Sequence, residues 1–226
     1  MNKFTKAIAA IMLMMIIVFS LVGCHSNTNH SSVSGKVNGH DFVDLGLPSG
    51  TLWATCNIGA EKPEDFGGYF AWGEINTKDT YNWTFYKYNP YSPLFGSQKW
   101  LQAENDAATV NWGDGWCTPD FSTWMELYQN TTNIWTIQNG VNGRLFSANN
   151  GRTLFLPASG KICDSDFGGE RTNCYFGECG YYWTSALNTD KPRYAIGFYF
   201  DSTDYGVSAM HCRSEGRTIR PVHIAK

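Results

Sequence analysis

The chain has 226 residues and a formal net charge of −3, with 17 Lys and Arg against 20 Asp and Glu. Its first 23 residues hold two of the lysines and no acid, so removing them leaves 15 basic against 20 acidic residues, a net charge of −5. This mild acidic balance argues against a nucleic-acid partner, which needs a basic footprint. The nine tryptophans and 23 glycines favour short strands and loops around an aromatic core.

The N-terminal segment Met1–Gly23 has the organisation of a secretory signal. Two lysines precede an unbroken apolar run from Ala7 to Phe19, and a small residue stands before the expected cut. The ending Leu21–Cys24 resembles the lipobox of bacterial lipoproteins, which implies that Cys24 is the lipid-attachment residue. We therefore expect a membrane partner through a lipid anchor. A transmembrane anchor is the alternative, but about 17 apolar residues are short for a span.

Residues 24–39 are rich in Ser, Asn, Thr, Gly and His and predict a flexible tether. His25, His30 and His40 lie in or beside it, so solvated side chains are favoured over a metal site. No acidic residue directly follows Cys24, and a surface-export signal is therefore not supported, which leaves the side of the membrane open. Residues 40–226 are long enough for one domain with a sizeable core.

The first predicted elements of the domain are a hairpin and a short helical turn. Asp41–Leu47 and Thr51–Ile58 are strand-like and are separated by a Pro-Ser-Gly turn. Pro63–Phe66 predicts one turn of helix, because proline and acids suit a helix N-terminus. Thr80–Phe95 is rich in Tyr, Trp and Phe. A loop folded onto the core, with its hydroxyls at the rim, is favoured there over a sugar-stacking surface.

The best helix pattern is Thr118–Tyr128, which follows a turn cluster at Asn111–Trp116. Thr118 is the expected cap, and Pro119 suits the first helical position. One apolar stripe is predicted to face the core. Its members are Phe121, Trp124, Met125 and Tyr128.

Two Asn-Gly pairs, Asn139-Gly140 and Asn150-Gly151, lie between apolar runs and predict hairpins. Further strands are predicted at Gly180–Leu187, 193–200, 206–211 and 218–224. The predicted fold class is α+β, with roughly eight to ten short antiparallel strands and one or two short helices.

Several motifs resemble those of the Fibrobacter succinogenes major paralogous domain family, in order along the domain. The resemblance implies a C-type-lectin-like fold, related to formylglycine-generating enzymes, in exported envelope proteins. The chain departs from the family at Cys117, where arginine is common, and at Cys212, in a segment usually without cysteine. The matching motifs are Phe42–Ala60, Phe66–Glu74, Asp106–Pro119, Gly140–Gly143, Phe155–Ala158, Gly180–Ser185 and Gly216–Val222.

Six cysteines follow Cys24, and an exported protein can keep disulfides. At least one of the three in the Gly-rich segment Ala158–Cys179 is expected to staple that loop, although the pairing stays open. Cys56 is expected to be a buried thiol. The disulfide candidates are Cys163, Cys174, Cys179, Cys117 and Cys212.

The same segment is the predicted ligand loop, because lectin-like folds often place ligand contacts there. Its acids are Asp164, Asp166, Glu170 and Glu178, and Asp201 and Asp204 follow in a later turn. Carboxylates can ligate Ca²⁺, but a solvated acidic loop is the favoured interpretation, so no cofactor is assigned. Trp183 is expected to be core.

The sequence favours a non-catalytic binding module of the cell envelope that recognises a glycan or an envelope protein. A structural envelope lipoprotein is the alternative. A formylglycine-generating-type oxidoreductase using Cys179 or Cys212 is a remote one, because the motif that surrounds its cysteines is missing. His211 beside Cys212 does not predict a dyad, since neighbours on a strand face opposite sides.

Overall fold

The structure, a computed structural model, describes residues 33–88, 99–163 and 172–224. The predicted signal, Cys24 and most of the predicted tether lie outside these residues. The described chain consists mainly of short antiparallel strands with two short α-helices, which confirms the α+β class. In chain order its elements are β1 (Gly35–Val37), β2 (His40–Val43), β3 (Leu52–Ala54), a 3₁₀ turn (Ala103–Asn105), α1 (Ala107–Trp112), β4 (Trp116–Cys117), α2 (Phe121–Asn130), β5 (Thr131–Gln138), β6 (Val141–Ala148), β7 (Thr153–Pro157), β8 (Lys161–Cys163), β9 (Thr172–Cys174), β10 (Gly180–Leu187), β11 (Tyr194–Phe200), β12 (Tyr205–Cys212) and β13 (Val222–His223).

In the described residues these strands form one five-stranded sheet, two three-stranded sheets and the β8–β9 hairpin. The five-stranded order is β1-β2-β3-β13-β4, so the last strand lies inside the sheet that the first strands begin. The other two sheets have the orders β5-β6-β7 and β10-β11-β12. Strand β1 lies within the predicted tether but pairs with β2, so the sheet includes residues that precede the predicted boundary at residue 40.

The predicted hairpins are confirmed. Asn139 and Gly140 have φ angles of 48° and 84°, and this two-residue turn pairs all of β5 with all of β6. Positive φ at both positions matches the twist of the strands. Between β6 and β7, Gly151 alone takes the positive angle, at 80°. The first predicted hairpin is the β2–β3 pair.

Two local predictions are wrong. Pro63–Phe66 forms turns rather than a helix, and the Asp65 carboxylate accepts a hydrogen bond from the Lys62 N–H at 3.0 Å. The predicted turn cluster at Asn111–Trp116 begins inside a helix, α1. Asp106 caps α1 by accepting from the Ala108 N–H at 2.9 Å. A helix this short has no reliable pattern of its own and depends on its cap and its packing.

Helix α2 is confirmed, but its cap and its buried stripe differ from the prediction. Asp120 is the N-cap and accepts from the Thr123 N–H at 2.7 Å, whereas Thr118 lies before the helix and bonds to Asp106. Trp124 and Leu127 are fully buried, but Phe121 and Tyr128 are 45% and 36% exposed. The core therefore covers a narrower face of α2 than its apolar pattern indicates.

Strand β10 has the predicted bounds and is covered on both faces. Tyr182 packs in one core cluster with Trp124 and Phe198. The next residue, Trp183, is 1% exposed and packs in a second cluster, which confirms it as core. Neighbouring residues of a strand point to opposite faces, so β10 is the wall shared by the two clusters.

The segment that leads to β13 carries three buried arginines, Arg213, Arg217 and Arg220. The Arg217 Nη2 atom lies 2.6 Å from Glu215 Oε2, and the Lys161 Nζ atom lies 2.7 Å from Glu215 Oε1. Arg220 donates from Nη1 to the Thr55 carbonyl at 2.8 Å. Only Val222–His223 of the predicted strand 218–224 is a strand. Among the four residues before it, Thr218 alone pairs, in an isolated bridge with Tyr182.

Candidate functional site

The predicted acidic ligand loop is only partly within the described chain. Asp164, Asp166 and Glu170 lie outside it, and Glu178 is exposed. The later acid, Asp201, shapes the β11–β12 turn: its Oδ1 accepts from the N–H groups of Thr203 and Asp204, each at 2.7 Å. These bonds hold the pKa of Asp201 below its ordinary value. Residues 33–88, 99–163 and 172–224 contain no group of three or more His, Cys, Asp or Glu side chains placed to hold a metal ion.

One disulfide joins Cys163 to Cys174, with an S–S distance of 2.05 Å. It ties β8 to β9 across the predicted ligand loop, which confirms that a disulfide staples this segment. Cys117 and Cys179 are free thiols, so they are wrong as disulfide candidates. Cys212, at the end of β12, lies outside the Cys163–Cys174 bond. Cys56 is a free, half-buried thiol just after β3 rather than within a strand.

Cys117, Cys179 and the histidine beside Cys212 are poorly set up for nucleophilic chemistry. Burial raises the pKa of Cys117 to about 12, and Asp106 and Asp120 raise it further in the same direction. Burial also raises the pKa of Cys179. The pKa of His211 is lowered to about 2 by burial and by the nearby Arg217. These groups are therefore a neutral imidazole and protonated thiols at neutral pH.

Cys117 is expected to react with a small thiol reagent at pH 8 at least about 100-fold more slowly than an ordinary cysteine, because so little of it is thiolate. The measurement is time-resolved labelling of the folded chain, read out as the labelled peptide by mass spectrometry. The same chain in urea is the control, where the difference should disappear. Rapid labelling of Cys117 in the folded chain would show that its thiolate is not suppressed.

The aromatic segment after Thr80 packs onto the core. Tyr81 and Tyr86 are 2% and 7% exposed, and their hydroxyls donate to the backbone carbonyls of Tyr69 and Trp72. The favoured interpretation of a loop folded onto the core is confirmed for these two rings, except that their hydroxyls are buried rather than at the rim. Residues 89–98 lie outside the described chain.

A cleft lies elsewhere, between the start of β2, the end of α1 and the turns around Gly59, Gly68 and Asn76. We call it the aromatic cleft; its volume is about 540 Å³. Residues far apart in the sequence form it, because β2, α1 and the turn at residues 75–77 meet at this edge of the fold. Its lining residues are His40, Ile58, Gly59, Gly68, Phe70, Ile75, Asn76, Thr77, Asn111 and Trp112.

An aromatic pair forms one wall of the aromatic cleft. The His40 ring stacks on the Trp112 ring with their centroids 3.9 Å apart and their planes 4° from parallel. The Trp112 ring also contacts the Trp116 ring edge to face, with their centroids 5.0 Å apart, and this contact supports the stacked pair. Burial and the neighbouring Lys36 lower the pKa of His40. The imidazole is therefore uncharged at neutral pH and presents one donor and one acceptor.

Two amides and a hydroxyl are also among the lining groups. Asn111 donates from Nδ2 to the carbonyls of Ile75 and Ala107, at 3.0 and 2.8 Å, which fixes its side chain. Its Oδ1 carries no hydrogen bond in the described structure. Asn76 and Thr77 are exposed at the rim. No lining residue carries a full charge at neutral pH, so the aromatic cleft suits an uncharged ligand with an apolar face and several hydroxyl groups.

The sequence did not single out this cleft. In the sequence, His40 stands beside the tether as a potential metal ligand, and Trp112 belongs to a turn cluster and a family motif. Asn76 and Thr77 had no distinguishing pattern. The available signal was the Trp112–Trp116 spacing, which brackets a glycine-rich turn, but nothing local places His40 or Asn76 beside it.

No family model, curated protein or solved structure matches this chain. Within the described residues, every helix is too short or too polar to cross a lipid bilayer.

Proposed function

We propose that this protein is a lipid-anchored, non-catalytic binding module of the cell envelope, and that the aromatic cleft binds an uncharged sugar unit of a glycan. The observation that carries the proposal is the stacked His40–Trp112 pair in a cleft whose other polar lining groups are uncharged. Aromatic faces pack against the apolar face of a sugar ring, and amides bond to its hydroxyls. A charged ligand would find no opposite charge among the lining residues.

The lipobox-like ending at Cys24 supports attachment to the outer membrane through acyl chains. The motif resemblance supports membership of the Fibrobacter succinogenes major paralogous domain family and a C-type-lectin-like arrangement of the antiparallel strands. The acidic loop at 164–178 is the second candidate region for contact with the glycan. A structural envelope lipoprotein without a glycan ligand is the competing function.

The double variant Asn76→Ala/Thr77→Ala is expected to weaken binding of a neutral oligosaccharide about thirtyfold, because two hydrogen bonds of roughly 1 kcal/mol each are lost. A glycan array identifies the oligosaccharide, and titration calorimetry measures its dissociation constant. Both residues are exposed, so the fold should be retained. Asn149→Ala, an exposed amide outside the aromatic cleft, is the matched control and should leave binding unchanged.

Two outcomes would contradict the proposal. One is that no neutral glycan binds, which favours the structural lipoprotein. The other is that glycans bind but the cleft variant and the Asn149 control behave alike, which places the ligand elsewhere on the molecule.

A further inference from the structure

Strand β5 is the edge of the β5-β6-β7 sheet, and its outer side is open. In the described chain, no backbone group outside β6 bonds to the backbone of β5. Its eight residues, Thr-Thr-Asn-Ile-Trp-Thr-Ile-Gln, include no charge, no proline and no glycine. Soluble proteins usually blunt a long edge strand with charges, proline or a bulge, since an unprotected edge is a template for another strand. None of these devices is present in β5.

Two large apolar side chains on this strand face solvent. Ile134 is 59% exposed and Ile137 is 65% exposed. Trp135, between them, packs partly against the core cluster that contains Phe200. The strand is therefore held rigidly by its hairpin and by Trp135 while its edge and two isoleucines remain uncovered. A rigid, preformed edge loses little conformational entropy when a second strand pairs with it.

The hairpin geometry fixes which backbone groups point outward. The two-residue turn at Asn139-Gly140 makes Gln138 and Val141 the first hydrogen-bonded pair of the β5–β6 ladder. Because pairs alternate along an antiparallel ladder, the N–H and C=O groups of alternate residues point away from β6. These residues are Thr131, Asn133, Trp135 and Ile137.

We propose that β5 pairs antiparallel with β5 of a second copy of this chain, across a two-fold axis at Ile134. In this register Thr131 lies opposite Ile137 of the copy and Asn133 lies opposite its Trp135, so every outward backbone group gains a partner. Ile134 lies opposite the same residue of the copy and buries its exposed side chain. Gln138, which is bonded to Glu64, stays outside the paired region.

The chemistry of the strand favours a second copy over a different partner. An isologous interface places a residue at the two-fold axis directly beside its own mate, so a charge at the centre of the strand would be repelled by a like charge. Strand β5 carries none. Threonines at 132 and 136 face each other across the axis, and Thr–Thr pairs are favourable cross-strand neighbours. The product is a continuous six-stranded sheet with the order β7-β6-β5-β5-β6-β7.

Light scattering of the full-length chain in detergent tests the interface, and a concentration-dependent dimer is expected. Ile134→Lys places two ammonium groups directly opposite each other and should raise the dimer dissociation constant at least about 100-fold. Ile137→Lys is the matched control on the same strand. Its two copies lie about 20 Å apart in the proposed register, so it should have a much smaller effect. A chain that remains monomeric over about a hundredfold range of concentration overturns the proposal.

Cysteine cross-linking tests the register independently. Ile134→Cys brings two thiols within disulfide distance, because the Cα atoms of a non-hydrogen-bonded antiparallel pair are about 4.5 Å apart and a disulfide spans roughly 4.4–6.8 Å. Mild oxidation should convert most of this variant to a covalent dimer. Ile137→Cys should not exceed the background from the native thiols of the parent chain. Equal cross-linking of the two variants overturns the two-fold pairing at Ile134.

Discussion

Replacing Glu215 with glutamine is expected to lower the free energy of unfolding by about 3–5 kcal/mol, because the change leaves buried cations without their counter-charge. Glu215 bonds to Arg217 at 2.6 Å and to Lys161 at 2.7 Å, and Arg217 is only 1% exposed. Urea unfolding of the full-length chain in detergent, followed by tryptophan fluorescence, measures the loss. Asp41→Asn is the matched control. Its ion pair with Lys36 is exposed, so the cost should be below about 1 kcal/mol.

The loss should also depend on pH. Burial alone would raise the pKa of Glu215, but Arg217 and Lys161 outweigh burial and lower that pKa below its ordinary value. A lowered folded-state pKa means that the carboxylate stabilises the fold above its unfolded-state pKa and loses this effect as the pH falls through the folded-state value. The difference between parent and Glu215→Gln should therefore narrow below about pH 4. A constant difference from neutral to acid pH would contradict an ionic origin.

Trp124→Ala is expected to lower the free energy of unfolding by about 3–5 kcal/mol, as large-to-small changes of a buried tryptophan do. Trp124 is fully buried, and its ring stacks on Phe198 with centroids 4.4 Å apart and meets Trp53 at 4.8 Å. Phe121→Ala on the same helix is the control and should cost about 1 kcal/mol or less, because Phe121 is 45% exposed. Equal losses would show that both residues of the apolar pattern face the core.

Features set by neighbouring residues could be predicted. The β5–β6 turn depends on the positive φ that Asn139 and Gly140 accept, and that preference is local. Strand β10 could be predicted because its aromatic and apolar residues, with two hydroxyl residues among them, form one run that begins at a glycine. A disulfide within Ala158–Cys179 could be predicted because three cysteines lie close together there. Only the structure selects Cys174 rather than Cys179 as the partner of Cys163.

Features set by distant residues could not be predicted. Periodicity assigned Phe121 and Tyr128 to the core, but the position of the sheet decides which side of α2 is covered. The three buried arginines gave no signal, because arginine is ordinarily a surface residue and their partners, such as Glu215 and the Thr55 carbonyl, are fixed only by folding. The aromatic cleft could not be predicted for the same reason, since His40, Asn76 and Trp112 meet only in the tertiary structure.

The inner position of β13 links folding to the direction of synthesis. Val222 pairs with Trp53 of β3 on one side and with Cys117 of β4 on the other, so those two strands lack the strand between them until residues 222–223 arrive. A chain made from its N-terminus therefore presents two unfilled strand edges until these late residues emerge. During that interval the facing edges of β3 and β4 are open to pairing with other strands, and the arrival of two residues closes both of them.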